Sequence, residues 1–147
     1  MRVFQFECEQ FLPRPVAEIF PFFADAGNLQ AITPDWLSFE VVTPGQIEMK
    51  PGTLIDYRLR VHGIPLKWRT LIRDWDPPHR FVDEQLRGPY RQWIHEHTFT
   101  GQDGGTLARD KVRYAVPGGA FINAMFVRRD VERIFAFRRQ RLSQLFA

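Results

Sequence analysis

The chain has a single cysteine, Cys8, so no internal disulfide can staple it. No apolar run approaches the length needed to span a bilayer, and there is no internal repeat, low-complexity tract or linker. No signal-peptide pattern follows Met1-Arg2-Val3, so a cytosolic protein is expected. A general basic excess is missing as well, although the formal net charge is +3. Of the 20 Lys and Arg, six arginines fall in residues 118–147 against Asp130 and Glu132, which leaves 14 cations facing 15 acids in residues 1–117. The positive charge therefore belongs to the C-terminal segment. The aromatics do not interleave with the basic residues as a stacking platform requires, so nucleic-acid binding is not expected.

Aromatic residues, by contrast, are abundant. They make up 14% of the chain, with fourteen Phe, within an ordinary soluble balance of 44% hydrophobic and 25% charged residues. At 147 residues one domain can bury a real core, and this excess of rings suits a large apolar interior or pocket.

The stretch Trp93-Ile94-His95-Glu96-His97-Thr98-Phe99 says most about the use of that interior. With period two, Trp93, His95, His97 and Phe99 share one face. A solvent-facing strand has no need of Trp and Phe there. A solid core has little use for two neighbouring imidazoles, because each ring nitrogen taken out of water needs a partner. A strand lining a cavity satisfies both conditions.

Along the chain, Phe4, Phe6 and Cys8 alternate with polar residues in a first strand closed by Pro13. Pro15 opens a short helix with Val16, Ile19, Phe20 and Phe23 on its apolar face. Pro21 should bend or end that helix, giving two short helical pieces with a break near residues 24–28. A strand is expected near Phe39 to Val42, and a clean one from Ile55 to Val61. The next follows the turn His62-Gly63-Ile64-Pro65 and carries Trp68, Thr70 and Ile72, with Leu71 and Trp75 blurring the alternation. Phe81 to Leu86 begins another. Asp103-Gly104-Gly105 turns the histidine strand into a last one, on which Ala108, Asp110, Val112 and Tyr114 share a face. After Pro117-Gly118-Gly119 the period changes. Val127, Val131, Ile134, Phe135, Leu142 and Leu145 recur at helical spacing in one amphipathic helix of roughly 25 residues, with the six arginines on its remaining surface. The expected class is α+β: a curved antiparallel sheet wrapped around a long C-terminal helix, with two short helices after the first strand.

This order of elements resembles the helix-grip fold of the START and birch-pollen-allergen superfamily, the SRPBCC group that includes polyketide cyclase relatives. The resemblance spans nearly the whole chain. Its carriers are Asn28-Leu29 with Ile32-Thr33-Pro34-Asp35-Trp36-Leu37, Phe81-Val82-Asp83-Glu84-Gln85 with Gly88-Pro89-Tyr90, the histidine strand, and Gly104-Gly105-Thr106 with Asp110, Val112 and Tyr114. It implies a protein close to the superfamily's uncharacterised bacterial branch, holding a small ligand between sheet and helix.

The expected guest is a small apolar or amphipathic molecule, contacted by Tyr57, Trp68, Thr70, Gln85, Trp93, His95, His97 and Tyr114. Each aromatic of this set can equally be plain core packing, and each histidine can be satisfied by a neighbour such as Asp83, Gln85 or Asp110. Two other readings stand beside this one. The resemblance admits a cyclase or dehydratase using His95 or His97 as general acid or base, oriented by Asp83 or Asp110. The arginine-rich helix admits contact with a membrane surface or a protein through Arg138, Arg139 and Arg141. His-x-His on a strand points two imidazoles one way, but zinc needs a third protein ligand and none follows from spacing. No metal or cofactor is expected.

Overall fold

The computed structural model describes residues 1–147. Seven antiparallel strands form one sheet in the order β1-β7-β6-β5-β4-β3-β2. They are β1 (Phe4–Leu12), β2 (Glu40–Val41), β3 (Leu54–Val61), β4 (Ile64–Asp76), β5 (Arg80–Arg87), β6 (Gln92–Gln102) and β7 (Gly105–Ala115). Between β1 and β2 lie helix α1 (Val16–Phe23) and two 3-10 turns, Ala26–Ile32 and Asp35–Leu37. Pro21 sits inside α1 without ending it, and the break falls at Ala24 and Asp25.

Beyond β7 the helix runs from Gly119 to Leu145 in three parts: α2 (Gly119–Ile122), a π segment (Asn123–Val127) and α3 (Arg128–Leu145). Tyr114 Oη donates to Asn123 Oδ1 at 2.7 Å, tying the π segment to the sheet. No helix is long and apolar enough to cross a membrane.

The long strands pair through the short connections that the sequence signals. Asp103 and Gly104 have φ of 51° and 78°, the left-handed pair of a two-residue hairpin turn, and Gln102 faces Gly105 across it. His62 and Gly63 do the same between β3 and β4, so the turn is shorter than expected and Ile64 already pairs with Val61.

The blurred alternation of β4 also has a cause. Its register against β5 shifts between Ile72 and Asp74, a bulge at Arg73. Ile72 faces inward before the bulge and Trp75 after it, where Trp75 meets Phe20 and Phe81.

The apolar interior is divided. One cluster joins α1 to the far end of α3 through Leu12, Ile19, Phe20, Phe81, Phe99 and Leu142. A second, around Phe6, Trp93, Val112, Tyr114, Val131 and Phe135, lies under the start of α3. A third, with Ile55, Tyr57 and Ile72, belongs to β3 and β4. The core positions of α3 are Val131, Phe135, Arg138 and Leu142, one face at helical spacing. A charged side chain thus occupies a core position, and it points to the candidate site.

Candidate functional site

Between the sheet and α3 lies a cavity of about 660 Å³. Its walls are mainly apolar: Ile55, Leu59, Ile72, Phe39 and Trp93 from the sheet side, Leu29 and Ile32 from the 3-10 turn, and Ile134 and Phe135 from α3. Polar groups reach it at few points. The densest group comprises His95 and His97 of β6, Asp83 of β5 and Arg138 of α3, with Asp110 of β7 behind them.

Strand register assembles this group. Asp83 pairs with His95 across the β5–β6 ladder, and Asp110 pairs with His97 across β6–β7. The hydrogen bonds cross these pairings diagonally. His97 Nε2 faces Asp83 Oδ2 at 2.6 Å, and His95 Nε2 faces Asp110 Oδ1 at 2.7 Å. The imidazoles stack with centroids 3.6 Å apart, and Phe81 stacks on the far side of His97 at 4.0 Å. The two rings are only 5% and 4% exposed, too little for water to satisfy them unaided.

Arg138 closes the cluster from above. Its Nη2 donates to Asp110 Oδ1 at 3.3 Å and lies 3.4 Å from His97 Nδ1, while the guanidinium rests against the rings of Phe23 and Phe135. Its Nε is sealed off without a partner.

The electrostatics follow from this packing. Burial pushes the carboxyl of Asp110 up, but the Arg138 charge and the bond from His95 outweigh it, holding Asp110 well below the usual carboxylate range. Asp83 is also lowered: burial raises it, and the His97 hydrogen bond with the nearby positive groups prevails. His97 is driven down to about 4, chiefly by burial and then by His95, so it is neutral near pH 7. With Asp83 ionised, the neutral His97 ring carries its proton at Nε2, the nitrogen that faces that acid. His97 Nδ1 then accepts from Arg138. His95 Nδ1 has no hydrogen-bond partner and stands 3.9 Å from Asp83 Oδ2. Because Arg138 Nε is the one sealed side-chain nitrogen or oxygen lacking a partner, His95 Nδ1 remains open to the cavity.

Asp83, His95 and His97 offer one ligand atom each within 4.8 Å of one another. The third donor that zinc requires, absent from the spacing of the sequence, is therefore supplied by the neighbouring strand. The stacked rings are inclined by only 24°, which sets their lone pairs in nearly parallel planes and favours the hydrogen-bonded network over convergence on one ion. His62 and His79 lie in turns away from this point, and His62 instead contacts Asp130 at 2.8 Å.

Tyr57, Trp68, Thr70, Trp93, His95 and His97 line the cavity, as does Asp83. Gln85 and Tyr114, expected beside them, do not. Gln85 has inward parity, but its amide is spent on both backbone groups of Tyr90, whose ring packs on Trp68. Tyr114 is fully buried behind Trp93 and Tyr90 with its hydroxyl on Asn123.

The expected surface role of the C-terminal arginines is corrected in one respect. Arg138 is buried in the cluster, not on the outer face. Arg139 donates to Glu9 O at 2.7 Å and Arg141 to Ala31 O at 3.2 Å, fastening α3 to its own body. The spacing Val131, Phe135, Arg138, Leu142 was the signal that placed Arg138 inside. Cys8 lies 3.9 Å from Asp110, and burial first, then that charge, pushes its thiol up to about 12, so it is no nucleophile.

A model of the family described as polyketide cyclase / dehydrase and lipid transport matches residues 12–140. No curated protein sequence matches the chain significantly. Among solved structures, the Zhui aromatase/cyclase from Streptomyces sp. R1128 aligns with TM-score 0.75 at 16% identity, over 97% of this chain and 93% of that one. Protein Ms6760 from Mycobacterium smegmatis aligns with TM-score 0.70 at 20% identity, over 99% and 96%. Ara h 8.0201 aligns with TM-score 0.67 at 18% identity, over 96% and 98%. Identities this low establish a common fold, the helix grip, and nothing about a shared ligand.

Proposed function

The chain belongs to the polyketide cyclase / dehydrase and lipid transport family, and on that premise we propose that it binds a small, largely apolar molecule between sheet and α3. The observation that carries this reading is the cavity itself. About 660 Å³ falls within the range of small-molecule pockets, and apolar walls with one polar end are their usual make-up. A space of that size left in a core would forfeit packing energy, so a guest that fills it is favoured by the dispersion contacts it restores.

The neutral fluorophore N-phenyl-1-naphthylamine should bind one to one with a blue-shifted emission. Ile134, half-buried on α3 and facing the cavity, is the place to block it. Ile134→Trp should weaken binding at least about tenfold while leaving the circular dichroism spectrum unchanged, since a ring there competes with the guest for the same volume. Equal binding by both proteins would place the guest elsewhere and end the proposal.

A second reading has its own observation. Asp110 Oδ1 and His95 Nε2 stand 2.7 Å apart, a carboxylate–imidazole pair at the cavity wall, the arrangement by which a base is oriented and its cation stabilised. In that role Nδ1 would take a proton from a carbon next to a ketone, and the resulting enolate would take one back. The expected result is hydrogen–deuterium exchange at the activated methylene of 2-tetralone above the buffer rate, lost in His95→Phe. Exchange at the buffer rate with bound 2-tetralone would leave binding as the function and remove catalysis.

A further inference from the structure

We infer that the protein docks on an anionic lipid surface through the end of the sheet that carries the connection between β7 and α3. This surface differs from that of Arg138, Arg139 and Arg141, and its use stands whatever the cavity holds. It starts from a surface segment without a polar outer face. Residues 119–127 read Gly-Ala-Phe-Ile-Asn-Ala-Met-Phe-Val, and the one polar side chain, Asn123, is turned to the Tyr114 hydroxyl. Ile122 and Val127 line the cavity. Phe121, Met125 and Phe126 stand in solvent, 70%, 55% and 54% exposed. A helix that is apolar all round is normally buried. Here one side meets the cavity and the other lies bare.

The strand order extends this patch. β3, β5 and β7 end where β1, β4 and β6 begin, as the pairs Val61–Ile64, Gln92–Ala115 and Phe4–Tyr114 require. Ile64, Leu86 and Val3 are exposed at that same end. Its charge has one sign. Residues 1–6, 60–68, 85–95 and 112–129 contain no aspartate or glutamate, while Arg87, Arg91, Arg113 and Arg129 are exposed among them. The acids that border these segments are already paired: Glu7 with Lys111, Glu84 with Arg73, Asp130 with His62 and Glu132 with Arg128.

Charge and shape together choose the occupant. A second copy of the chain would set these cations against their own kind. An acidic protein would answer the charge, but protein interfaces gather apolar groups into one packed centre with a polar rim. Here the apolar groups are spread over separate connections, with Ile64 beside one and Phe121 on another. A lipid interface accepts separate apolar tips that sink past the headgroups while arginines stay among the phosphates. Because Ile122 and Val127 share the segment, docking brings a wall of the cavity to the lipid.

The test is sedimentation of the protein with vesicles of phosphatidylcholine, alone or with phosphatidylglycerol at about 30 mol%. Wild type should bind the anionic vesicles at least about tenfold more tightly, and the excess should disappear in about 1 M salt. Phe121→Ser with Phe126→Ser should weaken that binding at least about tenfold, and so should Arg87→Glu with Arg91→Glu. All four residues are exposed and none lines the cavity, so both variants should keep the wild-type circular dichroism spectrum. No binding to either vesicle, or equal binding to both, would overturn the inference. Binding that survives both variants but is lost in Arg139→Glu with Arg141→Glu would overturn it too, by placing the contact on α3. Without vesicle binding, a wild-type dimer dispersed by Phe121→Ser with Phe126→Ser would assign the surface to a second copy, and retention on immobilised polyglutamate would assign it to an acidic protein.

Discussion

Replacing Arg138 with methionine is expected to destabilise the fold by about 3–5 kcal/mol, read as a lower urea midpoint at unchanged slope. Methionine keeps the apolar stem against Phe23 and Phe135 but removes the positive charge over Asp110. Asp110 would then be a buried anion held only by His95 and the weak thiol of Cys8, and His97 Nδ1 would lose its only donor. The loss comes mainly from stranding those groups, not from the net worth of the ion pair. Adding Asp110→Asn should therefore return part of the stability, because it removes the uncompensated charge. A cost of the single variant below about 1 kcal/mol would mean that water reaches the cluster freely and that its buried electrostatics have been misread.

The second large effect is in the acid range. An unfolded chain takes up a proton on its histidine below about pH 6.5. Folded His97 does so only near 4, because burial and the neighbouring His95 disfavour its charge. Between those two values the unfolded state binds more protons, so stability rises with pH and is lost as pH falls. Crossing the whole interval costs roughly 3 kcal/mol.

Asp83 and Asp110 act lower down. Their folded values are depressed, so their contribution is complete above the unfolded carboxylate range and disappears as pH drops through it. Acid unfolding should accordingly begin in the weakly acidic range and steepen below about pH 4. His97→Gln keeps an N–H for Asp83 and cannot titrate, so it should flatten the curve between about pH 6.5 and 4 and leave the lower arm in place. Identical slopes for the two proteins in that window would show that His97 is not held neutral by the fold.

Both effects arise from one arrangement, a polar cluster set into an aromatic interior. A carrier that merely needed an apolar hole would be more stable without it, since a well-packed hydrophobic cluster is often as good as a buried ionic one or better. On the proposed reading, its presence at the cavity wall would give a guest a preferred end. The same acids that flank His95 leave its Nδ1 without a hydrogen-bond partner inside the protein.

How much of this could be read in advance depended on whether local periodicity governed the position. Trp93, His95, His97 and Phe99 face inward because side chains alternate along any strand, and all four are buried. The same parity put Asp83 and Asp110 on the histidine side, and the β5–β6 and β6–β7 registers place them directly across from His95 and His97. Parity was not sufficient for Gln85 and Tyr114. Both point the expected way, yet the loop carrying Tyr90 folds over that end of the sheet and takes them out of the cavity wall. Trp75 escaped the pattern because one extra residue at Arg73 reverses the alternation beyond it.

The sequence by itself determined the strands, the long helix and the inward face of the histidine strand, since each follows from backbone geometry repeated every two or 3.6 residues. Only the tertiary structure decided that Arg138 crowns the cluster and that His95 keeps one nitrogen free. Those outcomes depend on where α3 crosses the sheet and on which acid each imidazole reaches, and such long-range choices are made by packing, which leaves no period in the chain.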